Sequence, residues 1–125
     1  MEQHQANNEL IERSGPLQED ILKLTCGCIP SNWDLPVLEI KITYDDFHRF
    51  QSMHVRLYDL KGDEELPHPP EPLLVAAAAY HALFMSFSHA WDRCMLTITP
   101  DEQGRVVGLK WNYKYPPWRL SFSPL

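Results

Sequence analysis

Apolar positions recur along this chain first with a helical period, then with a strand period, and then with each again. Leu17, Ile21, Leu24 and Cys28 fall at offsets of four, seven and eleven, which is one stripe of an amphipathic helix. Ser14 or Gly15 is placed to cap that helix, with Pro16 in its first turn, where a missing N–H goes unused. Glu19 and Asp20 lie toward its positive end, and Gly27 and Pro30 mark its exit. Upstream, Leu10 and Ile11 support a short helix or a flexible segment, separated from the main helix by Gly15-Pro16.

From Trp33 the period drops to two. Leu38, Ile40, Ile42 and Tyr44 alternate with Glu39, Lys41 and Thr43, and alternation resumes with Met53, Val55 and Leu57 after a turn at Asp45-Asp46. The two runs predict an antiparallel hairpin whose first strand starts after Pro36 or bulges there. Leu60 to Pro72 breaks the pattern with Gly62, four prolines and a run of acids, and predicts an irregular loop. The strongest helical stripe follows, from Pro72 to about Trp91, as Leu73, Ala77, Tyr80, Phe84, Phe87 and Trp91. A second hairpin closes the pattern, with Cys94, Leu96 and Ile98, a turn over Pro100 to Gly104, then Val107, Leu109, Trp111, Tyr113 and Tyr115.

The order helix, hairpin, helix, hairpin predicts an α+β fold: one antiparallel sheet packed against helices. The expected divisions are a segment over 1–15, a single domain over 16–115 and a tail over 116–125 carrying Trp118, Leu120 and Phe122. A length of 125 residues and a 44% hydrophobic content suit one globular domain with its own core. Pro72 to Ala90 lacks Asp, Glu, Lys and Arg, but its histidines, serines and alanines suit a helix buried in a domain better than a membrane span. Three cysteines cannot close a disulfide framework, which points to a reducing cytoplasm, and no secretory signal opens the chain.

Charge changes the picture further. The net charge of −6 argues against a nucleic-acid partner, whose backbone demands a surplus of cations. Acids concentrate at residues 59–71, where Asp59, Asp63, Glu64, Glu65 and Glu71 face one base, Lys61. Residues 104–125 carry Arg105, Lys110, Lys114 and Arg119 with no acid. Acidic loops on an apolar fold complement a basic partner and speed its capture. The candidate partner-binding residues are therefore Asp45, Asp46, Asp59, Asp63, Glu64, Glu65 and Glu71.

Catalytic signatures are scarce. Cys26-x-Cys28 has no second pair or histidine knuckle, so neither a metal nor a cofactor is expected. His81, His89, Asp92 and Cys94 make the one set from which a small hydrolase or metal enzyme can be drawn, and no nucleophile elbow, phosphate loop or zinc motif accompanies it. A third class, an adaptor subunit, would use Trp118, Leu120 and Phe122 as an anchor. Trp111-Asn112-Tyr113-Lys114-Tyr115 suits a core-facing strand better than a base-stacking surface.

The element order, together with Pro30-Ser31-Asn32-Trp33 before the first hairpin, the acidic proline-bearing linker, Trp91 after the long helix, the Asp101 to Gly104 turn and the final Tyr113-Lys114-Tyr115, resembles the YezG-type bacterial immunity proteins over roughly residues 16–115. The broken first helix and the tail after Pro116 depart from that pattern. The resemblance implies a small α+β protein that is not an enzyme and that neutralises a cognate toxin by stoichiometric binding. A nuclease-like toxin with a basic substrate cleft would suit the acidic loop.

Overall fold

The computed structural model describes residues 3–118. Among these residues two helices and five strands follow one another as α1 (Gln3–Cys28), β1 (Pro36–Tyr44), β2 (Phe50–Asp59), β3 (Glu64–Leu66), α2 (Glu71–Ser86), β4 (Arg93–Pro100) and β5 (Val106–Lys114). The strands form one antiparallel sheet in the order β3-β2-β1-β4-β5. The α+β architecture expected from the pattern is the one observed.

Strand periodicity divides the sheet into two unlike faces. Leu38 and Ile40 stand opposite Leu57 and Val55 on one side and Leu96 and Cys94 on the other. These residues, with Trp111 and Tyr113 of β5, meet Leu10 and Ile21 of α1 and Leu73, Ala77, Tyr80 and Phe84 of α2 in one core. Each fully buried Leu or Ile there contributes about 1.5–3 kcal/mol. The opposite face carries Glu39, Lys41, His54, Arg56, Arg93, Met95, Lys110, Asn112 and Lys114, and both helices lie on the other side.

Three expectations are corrected. First, α1 is a single 26-residue helix that runs unbroken through Pro16, so residues 3–15 belong to the same element as 16–28. Leu10 and Ile21, on either side of the proline, are both buried in the same core, and that packing outweighs the lost helical hydrogen bond. Ser14 caps nothing; it is buried and its hydroxyl donates to the Ile11 carbonyl at 2.9 Å.

Second, α2 stops at Ser86, not near Trp91. The N–H of Ser88 donates to the Met85 carbonyl and that of His89 to the Phe84 carbonyl, at 3.0 and 2.9 Å. With Ser88 at φ 60°, this is a Schellman termination built on serine in place of glycine. Trp91 is still fully buried, but it enters the core from the connection to β4.

Third, the stretch from Leu60 to Pro72 is not wholly irregular. Asp63 turns the chain at φ 58°, and β3 then pairs with the end of β2, setting Leu66 opposite Leu57. Pro69-Pro70 ends the excursion, and Pro70, extended at ψ 146°, leads directly into α2.

Candidate functional site

The acids singled out by the sequence separate into two groups. Asp45 and Asp46 lie in the β1–β2 turn, whereas Asp59 stands opposite Pro36 at the far end of the same hairpin. Ten residues of β2 span about 30 Å, so the two groups do not share one surface.

Asp45 serves its own turn. Its carboxylate accepts the Arg49 and Phe47 N–H groups, each at 2.9 Å, and the Arg49 guanidinium at 3.1 Å. The Arg49 backbone N–H leads in holding this carboxyl below its ordinary pKa. Asp46 is exposed beside it.

Asp59 is an internal anchor, which corrects its assignment to a binding surface. It is 3% exposed and accepts the N–H groups of Leu35 at 2.9 Å and of Asp34 and Lys61 at 3.3 Å. Burial works against its ionisation, but those donors and the Gly62 N–H prevail and hold its pKa below the usual carboxylate value. A side chain at Gly62 would collide with the Asp59 carboxylate, so the loop closes around this group only with glycine there.

Around that anchor, Asp34, Asp63, Glu64 and Glu65 are all exposed, as is Glu71 at the start of α2. Glu64 accepts the Trp33 indole N–H at 3.2 Å, which ties β3 to the segment before β1. Glu65 is paired with Arg56 at 2.6 Å, so its charge is largely answered within the sheet. Asp34, Asp63 and Glu64 therefore form an acidic end of the sheet, with Lys61 among them, while Glu71 follows β3 at the start of α2. Asp34 escaped sequence reasoning because its proximity to residues 59–71 is created by the hairpin and has no local signal.

The outer sheet face supplies a second charged feature, hidden in the alternation of β1. Glu39 is 7% exposed and lies between two guanidinium groups, Arg56 at 3.4 Å and Arg93 at 3.6 Å. One step along the sheet, Lys41, Arg93 and Lys114 stand in a row across β1, β4 and β5. With Asp92 and Ile42 they line an open depression of about 200 Å³.

The residues of the catalytic alternative lie on three segments: His81 on α2, His89 and Asp92 in the connection that follows, and Cys94 on β4. His89 lies beyond α2, so it does not share a helix with His81. His81 is buried among Tyr44, Phe50 and Trp91, with Nε2 2.7 Å from the Tyr44 hydroxyl oxygen. The Tyr44 hydroxyl donates to the Trp91 carbonyl at 2.6 Å, so its oxygen is left to accept from His81. Burial lowers the His81 pKa to about 4, outweighing the opposing effect of the Trp91 backbone, and the imidazole is neutral at pH 7. Burial also pushes the Cys94 thiol well above its ordinary range, away from the thiolate a nucleophile needs.

The remaining candidates are placed as follows. Cys26 is exposed and Cys28 half-buried, and among the described residues no group of three or more His, Cys, Asp or Glu side chains is arranged to hold a metal ion. Trp118 stacks on His48 at 4.2 Å and meets Tyr44 edge-on at 5.5 Å, while Leu120 and Phe122 lie outside the described residues. Among the described residues no helix is long and apolar enough to cross a membrane. Neither the known protein-family models nor the curated proteins give a match to this chain.

Proposed function

We propose that this chain is an immunity-type binding protein that neutralises a basic, nuclease-like toxin by occupying its substrate cleft. The contact surface is the acidic end formed by Asp34, Asp63 and Glu64, extended by Glu71 at the start of α2. Asp45 and Asp46, at the opposite end of the hairpin, lie outside this contact. The carrying observation is the buried Asp59 carboxylate, which gathers the backbone of residues 34, 35 and 61 beneath those exposed acids. A charged surface fixed before binding loses less side-chain and loop entropy on association than a mobile loop does. Carboxylates so held can stand where the phosphates of a nucleic acid would lie in a basic cleft.

The test is capture from the source organism with tagged wild-type protein and with D34K/D63K/E71K, which leaves the Glu64–Trp33 hydrogen bond intact. The wild type is expected to retain one basic protein near one-to-one, released by salt, whose toxicity co-expression suppresses. The folded variant is expected to lose both properties. Undiminished capture by the variant at physiological salt, or no stoichiometric partner for the wild type, overturns the proposal.

A further inference from the structure

Among the described residues, β5 is an edge strand of nine residues with β4 on one side and no strand on the other. The other edge, β3, is only three residues long. A long free edge exposes a row of backbone donors and acceptors, and such edges are ordinarily shortened, bulged or covered. Here the apolar side chains of the strand are only half covered. Trp111 and Tyr113 pack against the core, but Leu109, opposite Ile98, is 45% exposed, and Val107, the unpaired residue at the register shift, is 64% exposed. A recess of about 290 Å³, lined by Cys26, Ile29, Ile98 and Val106 among others, opens between the end of α1 and the β4–β5 hairpin.

The other face of β5 carries Lys110 and Lys114 beside the uncharged Gly108 and Asn112. Both lysines are exposed, and the second continues into the row with Arg93 and Lys41. Beside that row, Glu39 is held between Arg56 and Arg93, and Asp92 lines the depression. Within β5 the only charged residues are these two lysines. The only charges that pairing of β5 with a second copy would bring together are therefore like charges, which disfavours self-association.

We propose that the β5 edge receives an extended acidic–apolar segment of a partner protein as a sixth strand. Apolar side chains of that segment cover Val107, Leu109 and the exposed part of Trp111, while its alternate carboxylates face Lys110 and Lys114. Main-chain hydrogen bonds supply the sequence-independent attraction, and the two rows of side chains select the partner. This surface lies on the opposite edge of the sheet from β3 and is opposite in charge to the acidic end.

The probe is a synthetic nine-residue peptide alternating Glu and Val, added to the full chain and followed by amide NMR. Controls are a Lys–Val peptide, a block-ordered peptide of the same Glu and Val content, and an oligothymidylate. The alternating acidic peptide is expected to shift the amides of residues 106–114 and to bind more weakly in high salt. K110E/K114E is expected to weaken binding by about tenfold with the remaining spectrum unchanged. V107S/L109S tests the apolar row and is expected to weaken binding similarly. Absence of binding, equal binding of the block-ordered peptide, tighter binding of the oligothymidylate at the same lysines, or dimerisation through β5 would each overturn the proposal.

Discussion

Gly104 and His48 hold the same place in two hairpins, at φ 82° and φ 63° respectively. Each is the fourth residue of a turn that starts with an aspartate and is followed by an arginine. Asp101 accepts the N–H groups of Gln103 and Arg105 and pairs with the Arg105 guanidinium; Asp45 does the same for Phe47 and Arg49. Both turns adjoin a register shift, between Thr43 and Tyr44 and between Thr99 and Pro100. The left-handed position is filled by glycine in one turn and by histidine in the other, and the histidine ring stacks on Trp118.

Left-handed backbone at a non-glycine residue stores strain that glycine relieves. Ser88, exposed at φ 60°, is the simplest case, and S88G is expected to raise stability by about 0.5–1 kcal/mol in urea unfolding. H48G is expected to gain less, because the contact with Trp118 goes with the ring. Equal gains at both sites would show that the stack contributes nothing.

Pro16 sits inside α1 and is exposed. P16A restores a hydrogen bond to the Glu12 carbonyl and is expected to add about 1–3 kcal/mol. G15A meets nothing within 4 Å and is expected to add about 0.5–1 kcal/mol. Thermal melting followed by helical circular dichroism checks both, and a loss of stability in either would mean that the break has a packing role.

Asp59 holds the loop between β2 and β3, and D59N is expected to cost about 2–3 kcal/mol by leaving buried N–H donors poorly matched. Because the folded pKa lies below the unfolded value, the wild-type contribution is present above about pH 4 and is lost as pH falls further. Urea midpoints at neutral and acid pH are expected to converge for the wild type and the variant.

His81 acts in the other pH window. Unfolded, it titrates near ~6.5, whereas folded it titrates at about 4. Between those values the unfolded chain takes up a proton that the folded one refuses, so stability falls as pH drops through that range, by up to about 3 kcal/mol. H81Q, neutral throughout, is expected to be less stable at pH 7 and to show a flatter profile from pH 7 to 4. An unchanged slope would remove His81 as its source.

The hairpins were legible because alternation is local: Leu38 to Tyr44 and Cys94 to Ile98 name their own faces. The ends of the helices were less so. Gly15-Pro16 is a helix-breaking pair by propensity, but Leu10 and Ile21 are buried on either side of it. At α2 the apolar stripe runs on to Trp91, while the chain turns at Ser88 with no glycine to announce it.

For the charged surfaces, composition located the acids of 59–71 but not their division of labour. Nothing local distinguishes Asp59, buried under four backbone donors, from Asp63, exposed four residues later. Pairing of Glu39 with both Arg56 and Arg93 depends on β1 lying between β2 and β4, a contact among residues far apart in the chain.

By itself, then, the sequence determined the class of fold, the two hairpins and the existence of both helices, since each follows from periodicity within a dozen residues. Tertiary structure decided the strand order, the continuity of α1, the end of α2 and the edge position of β5. It also decided which acids face solvent. These depend on free energy shared between distant segments: a buried side chain or an anchored carboxylate outweighs a local preference of one to three kcal/mol, roughly the scale of a helix-interior proline or a left-handed residue.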